Sequence, residues 1–246
     1  MARARALLNG YWNDPAGGRE VLLIAYPLIL GQMSFTVQSF VNRLFLTWYS
    51  AEALAGAVTG FFVAISLIGL FSATGEYLTT FVAQYLGAGR PERVGPEIWQ
   101  GIYFSALSGV FVATLSPLAG PLFRWAGHEP LVMGYEVAYT RILMMGAFPI
   151  ILMATLSTFF AGRGETRVVL LVTLMVTALN VLLDYLWIFG HWGFPRGGVV
   201  GAALATITSE SFGALAFFAL MTRKPLREAH RTLSGWRLEG DLLLRV

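Results

Sequence analysis

The stretch RVVLLVTLMVTALNVLLDYLWIF, residues 167–189, decides the fold class. At about 1.5 Å of rise per residue, a helix of this length crosses a hydrocarbon core of about 30 Å. After its opening arginine the only charged side chain is Asp184, and Asn180 lies four residues earlier on the same helical face. An acid inside a membrane is costly and turns toward a bundle interior or a water-filled cavity rather than lipid. Residues 167–189 therefore need helical neighbours.

Five further stretches are long and apolar enough to supply them, near 21–46, 53–84, 97–120, 132–160 and 198–221. Polar residues interrupt two of these, Gln32, Gln38 and Asn42 in the first and Glu136 and Arg141 in the fourth, as expected of protein-facing surfaces. The whole chain agrees: 56% of its 246 residues are hydrophobic and 13% are charged, with a mean hydropathy of +0.65. A soluble domain carries about 25% charged residues. The expectation is an all-α polytopic membrane protein with six transmembrane helices. Its domains are an N-terminal cytoplasmic or interfacial segment 1–20, a bundle 21–221 and a linker-like tail 222–246.

Several functions are excluded. The chain has no cysteine, and His128, His191 and His230 lack zinc-ligand spacing. Its basic residues lie between apolar runs instead of forming a nucleic-acid-binding face. No P-loop or nucleotide fingerprint is present, and Ser34, Asp184 and His191 do not make a hydrolase triad by availability alone. The reading is a non-enzyme with no cofactor beyond a coupling ion, and with no nucleotide or nucleic-acid partner.

Lys and Arg are retained on the cytoplasmic side of short loops. With the N-terminus inside, that side holds 13 of them and the other side Arg43, Arg124 and Arg196, with Arg141 inside a span completing the 17. Both termini are thus expected in the cytoplasm, in the plasma or inner membrane of the cell. Asn9, Asn13, Asp14 and Gly17-Gly18 stand where a signal peptide would be apolar. Trp48, Trp125, Trp187 and Trp192 fit an aromatic belt at the outer boundary. The run Trp236 to Val246 reads as an amphipathic linker or an interfacial C-terminal helix.

Asn180 and Asp184 have counterparts at the same four-residue spacing in Gln38 and Asn42, and Thr206 falls at comparable depth. Converged, these five residues would offer one carboxylate with neutral oxygen ligands, suited to a reversible proton or cation site. A structural hydrogen-bond network is the alternative. Arg141, at similar depth, is expected to pair with Asp184 or Glu136, since an unpaired buried charge costs several kcal/mol. Met33, Phe35, Met145 and Met153 are candidate linings of a route for flat hydrophobic cations, with lipid contact or packing as the alternative for each. Glu76 near the inner face and Glu210, four residues beyond Thr206, are weaker candidates.

Several segments together resemble the multidrug and toxic compound extrusion (MATE) transporters. They are Pro27 to Leu30, Val41 to Phe45, Ala51 to Ala55, Gly75 through Gln84 into Leu86 to Arg90, Phe160 to Arg167, Asn180 to Tyr185 with Ile188 to Gly190, and Gly201 to Thr206. The resemblance implies two six-helix bundles joined by a cytoplasmic linker, with substrate moving through the cleft between them. This chain resembles the N-terminal lobe alone. It also implies a first-helix aspartate where Asn42 stands, one titratable group and one negative charge fewer. The expected function is cation-coupled antiport, Na+ or H+, exporting amphipathic organic compounds. Na+ would be held by Asp184 and Asn180 with Asn42 and Thr206, and a second lobe or a homodimer partner would complete the cleft. An inactive truncated lobe and a lipid-linked saccharide flippase are the alternatives.

Overall fold

The computed structural model describes residues 17–237. The segment before residue 17 and the end of the tail from residue 238 lie outside the described residues. In chain order the helices are α1 Gly18–Tyr49, α2 Ala51–Glu76, α3 Leu78–Gly87, α4 Val94–Leu115, α5 Ala119–Ala126, α6 Pro130–Met145, α7 Ala147–Ala161, α8 Thr166–Phe189, α9 Gly198–Met221 and α10 Lys224–His230. Short 3-10 turns precede α4 and join it to α5. Among the described residues, five continuous stretches are long and apolar enough to cross a membrane, and the bent pair α6–α7 makes a sixth if it counts as one span. The protein is an all-α, multi-spanning membrane protein.

The expected fourth span, 132–160, is not one straight helix but turns by 50° between Met145 and Ala147. Pro149 is the cause. It has no N–H to give the Met145 carbonyl, and its ring crowds that carbonyl, so the first helix ends four residues before it, at Met145, and the chain bends at Gly146. Pro27 lies inside α1, which nevertheless continues to Tyr49.

One residue turns the chain between the first two spans. Ser50 takes an extended backbone conformation that ends α1, and its hydroxyl accepts the Ala53 N–H at 3.0 Å to cap α2. Gly190, with φ +78°, closes α8 in the left-handed conformation that suits glycine. A Cβ on Gly201 would fall on the carbonyl of Trp187, so this glycine permits the close approach of α9 to α8.

Two apolar cores fill the bundle. Leu46, Ala53, Ala57, Tyr139, Ile188 and Ala202 pack toward the Ser50 end, and Val82, Ile98, Phe159, Phe160, Phe217 and Met221 toward the opposite end. Buried hydroxyls tie helices between them: Ser105 meets Thr155 at 2.9 Å, and Thr140 donates to the Gly60 carbonyl at 3.1 Å. After α9 the chain folds back along α4. Trp99 Nε1 donates to the Thr232 carbonyl at 2.7 Å, Gln100 to that of Arg237 at 3.1 Å, and the Tyr103 hydroxyl to that of Trp236. His230 is buried in this strap against Phe159, its Nδ1 3.2 Å from the Pro91 carbonyl. Burial holds the His230 imidazole below the ordinary histidine range, partly offset by that carbonyl.

Candidate functional site

The α1–α8 contact is a polar seam inside an apolar bundle. Thr177 donates to Gln38 at 3.4 Å, and farther along both helices Asn42 Nδ2 donates to Asp184 Oδ2 at 3.2 Å. With its amide oriented to satisfy both ends, Asn180 donates to the same Oδ2 at 3.1 Å and accepts the Thr206 backbone N–H at 3.2 Å. Asp184 and Asn180 are wholly buried. One carboxylate oxygen thus receives two amides, while Asp184 Oδ1 is buried with no hydrogen-bond partner among the described residues.

Beside this seam lies a cavity of about 80 Å³ between α1, α2, α6, α8 and α9. Its polar lining includes Gln38, Asn42, Tyr139, Asn180, Thr206 and Glu210, with Phe35 and Phe61 among its apolar walls. Asp184 stands one side chain behind, reached through Asn42 and Asn180. A drug-sized ligand occupies roughly 300–1,000 Å³. A cavity of 80 Å³ accommodates an ion and a few waters, not such a ligand.

The five polar residues expected to converge therefore do so unevenly. Asn42, Asn180 and Asp184 touch directly. Gln38 lines the cavity but bonds Thr177, not the acid. Thr206 joins through its backbone N–H, and its hydroxyl donates to the Ala202 carbonyl at 3.1 Å. Tyr139, absent from the expected set, is buried and lines the same cavity as Thr206. Its position three residues after Glu136, on one helical face of buried polar side chains, was the available signal.

Arg141 does not pair with Asp184 or Glu136. It is exposed, with Nη2 3.4 Å from the Pro117 carbonyl. Five residues of α-helix separate Glu136 and Arg141 by about 140° around the axis. Glu136 instead points inward, where His128 Nδ1 reaches both of its oxygens at 2.7 and 2.9 Å. The residues expected to line a substrate route are also scattered. Phe35 lines the cavity, Met33 and Met145 are exposed without lining it, and Met153 packs over Gly213. Met33 and Phe35, two residues apart, face opposite sides of α1. Glu76 is exposed at the end of α2.

The motif 160–167 forms the turn from α7 to α8. Arg163 stacks over Phe159 at 5.0 Å and bonds Glu165 at 2.7 Å, while Gly164 adopts φ +75°. Trp48, Trp125 and Trp192 are exposed, as an aromatic belt requires, whereas Trp187 is half-buried.

Residues 27–186 match the MatE family model. The chain is 29% identical over 216 residues to a probable multidrug resistance protein NorM of Synechocystis, covering 87% of this chain and 46% of that protein. It is 30% identical over 217 residues to a NorM of Rhizobium meliloti, covering 88% and 46%. Its fold matches that of a MOP superfamily transporter from Pyrococcus furiosus with a TM-score of 0.80 and 24% identity, over 91% of this chain and 49% of that one. The chain thus spans about half the length of the curated relatives it matches.

Proposed function

The chain belongs to the MatE family, whose members are membrane transporters and not enzymes, and from that premise we propose that it is one lobe of a cation-coupled antiporter exporting amphipathic organic compounds. The observation that carries this reading is Asp184, an acid buried within a span with one oxygen held by two amides and the other without a partner. A proton or a Na+ ion satisfies that oxygen and cancels the charge. The donor set suits either occupant: Asp184 Oδ1, the amide oxygens of Asn42 and Asn180, and the Thr206 hydroxyl are hard oxygens around a single negative charge.

Coupling follows from how the same atoms join helices. Hydrogen bonds to an ionised acceptor are worth about twice those to a neutral one. Neutralising Asp184 weakens the grip of Asn42, and hence of α1, on α8. The helix freed is the one whose outer face is broadly exposed, at Met33, Phe35 and Phe40 among others. Substrate moves in the cleft between this bundle, 21–221, and a second lobe or second copy, because the internal cavity holds only an ion and water. In this reading both termini are cytoplasmic in the cell membrane, and 222–246 leads to the partner lobe.

The test is counterflow of ethidium by the purified chain in proteoliposomes under separately imposed Na+ and H+ gradients. Movement driven by one gradient and abolished by Asp184→Asn is expected. Unchanged movement in Asp184→Asn overturns the role of the acid. A folded chain without counterflow in either gradient identifies a lobe inactive by itself, a reading that the half-length match also favours.

A further inference from the structure

A second recess, of about 700 Å³, lies between the first turns of α1 and α8, far along both helices from Asp184. Arg19, Leu22 and Tyr26 line it from α1, and Arg167, Leu170 and Leu171 from α8. On each helix the arginine comes first and the apolar residues follow at three, four or seven positions, so each guanidinium stands at the end of an apolar stripe. The α1 stripe descends about 10 Å from its arginine. Leu22, Tyr26 and Leu171 are 51%, 63% and 61% exposed, so these walls are open to the surroundings. Among the described residues no acid lines the recess, and the ion pairs among them, His128–Glu136 and Arg163–Glu165, involve neither arginine.

We infer that this recess is a binding site for an anionic phospholipid in the leaflet on the Gly18 side of the membrane. Its apolar walls face the depth of acyl chains, where a bilayer supplies the occupant. The two arginines come from different helices and line one recess whose other described walls are leucine, tyrosine and proline. A lone arginine at a helix end needs only water. Two lining one recess, with no acid among the described residues of its wall, match a phosphate diester, which guanidinium groups bind through paired N–H donors. The lipid would join α1 to α8 at the end opposite the Asn42–Asp184 bond.

The probe is phosphatidylglycerol, compared with phosphatidylcholine and with inorganic phosphate, on the purified full chain in detergent. Bound lipid is counted by native mass spectrometry and thermal stability is followed in parallel. One surface arginine contributes roughly fivefold to anionic lipid binding, so Arg19→Gln/Arg167→Gln should bind phosphatidylglycerol about 30-fold more weakly. Phosphatidylcholine binding should not change, and Arg19→Lys/Arg167→Lys should recover only part of the loss, because an ammonium keeps the charge but not the paired donors. Arg19→Gln alone, an exposed change at a helix end, should show the fivefold step if the double variant unfolds. Retained phosphatidylglycerol binding in the glutamine variants overturns the site. So does displacement of the lipid by equimolar inorganic phosphate, which identifies a plain anion site. A tenfold gain in lipid on deleting residues 1–16 also overturns it, because the chain's own N-terminal segment is then the occupant.

Discussion

Asp184→Asn isolates the buried charge with almost no change in shape. In the unmodified protein Oδ2 accepts N–H bonds from Asn42 at 3.2 Å and Asn180 at 3.1 Å, and Oδ1 is orphaned. An asparagine keeps an oxygen in the accepting position, so both bonds survive but become neutral. Bonds to a charged partner contribute about 1.5–3 kcal/mol and neutral ones about 0.5–1.5, so the two together lose about 2 kcal/mol. Against this stands the effective penalty of burying a carboxylate, several kcal/mol for an ion without a counter-charge. Without a coupling cation the second effect is the larger, and the variant should be more stable by about 1–3 kcal/mol. At roughly 2–4 °C per kcal/mol for a chain of this size, its melting temperature rises by several degrees. Cation dependence changes in the opposite sense. A cation at 100 times its Kd adds about 2.7 kcal/mol to the unmodified protein and nothing to a variant that cannot bind it. The assay is thermal unfolding in detergent, followed by tryptophan fluorescence, in choline chloride and in sodium chloride and at two pH values. A stabilisation by Na+ or by acid that persists undiminished in Asp184→Asn refutes the assignment. A variant that loses stability in choline at neutral pH shows that the carboxylate is held for structure.

Gly201→Leu should drive α9 off the Trp187 carbonyl and carry the Thr206 amide away from Asn180, costing at least about 2 kcal/mol and abolishing any cation-dependent stabilisation. Melting curves of Gly201→Ala and Gly201→Leu with and without Na+ check the graded effect. Arg141→Gln should change stability by less than about 0.5 kcal/mol, since an exposed guanidinium on the Pro117 carbonyl is all that is lost; a loss of 3 kcal/mol would indicate a buried ion pair. His230 has its pKa lowered by burial, so the fold favours the neutral ring and the unfolded chain binds more protons. Its contribution is complete above about pH 6.5, the ordinary histidine value, and declines as pH falls below it. His230→Gln should therefore flatten the loss of strap stability between pH 7.5 and 5.5, read by proteolysis of the tail. An unchanged pH response assigns the effect to other groups.

The apolar spans, their polar interruptions and the short connections were legible because membrane solvent imposes length and hydropathy on any helix that crosses it. The same constraint made Asp184 conspicuous, as a charge where lipid would exclude one, and the four-residue spacing tied it to Asn180. The bend at Gly146 was readable only in part: Pro149 announces a distortion, but its angle depends on how α7 packs against α4 and α9. Pairing partners were not readable at all. Arg141 and Glu136 share a depth but not a helix face, and Glu136 finds His128 across a turn that no spacing rule describes.

By itself the sequence determined that the chain is a helical membrane bundle, that Asn180 and Asp184 share one helix face, and which lobe of a transporter it resembles. These are properties of local composition and period. The tertiary structure alone decided that Asp184 shares one oxygen between two helices and leaves the other unpartnered, that Tyr139 and Thr206 line one cavity, and that Arg19 and Arg167 flank one recess. Each of these joins residues far apart in the chain, and helix rotation and close approach at positions such as Gly201 set them, which no local pattern records.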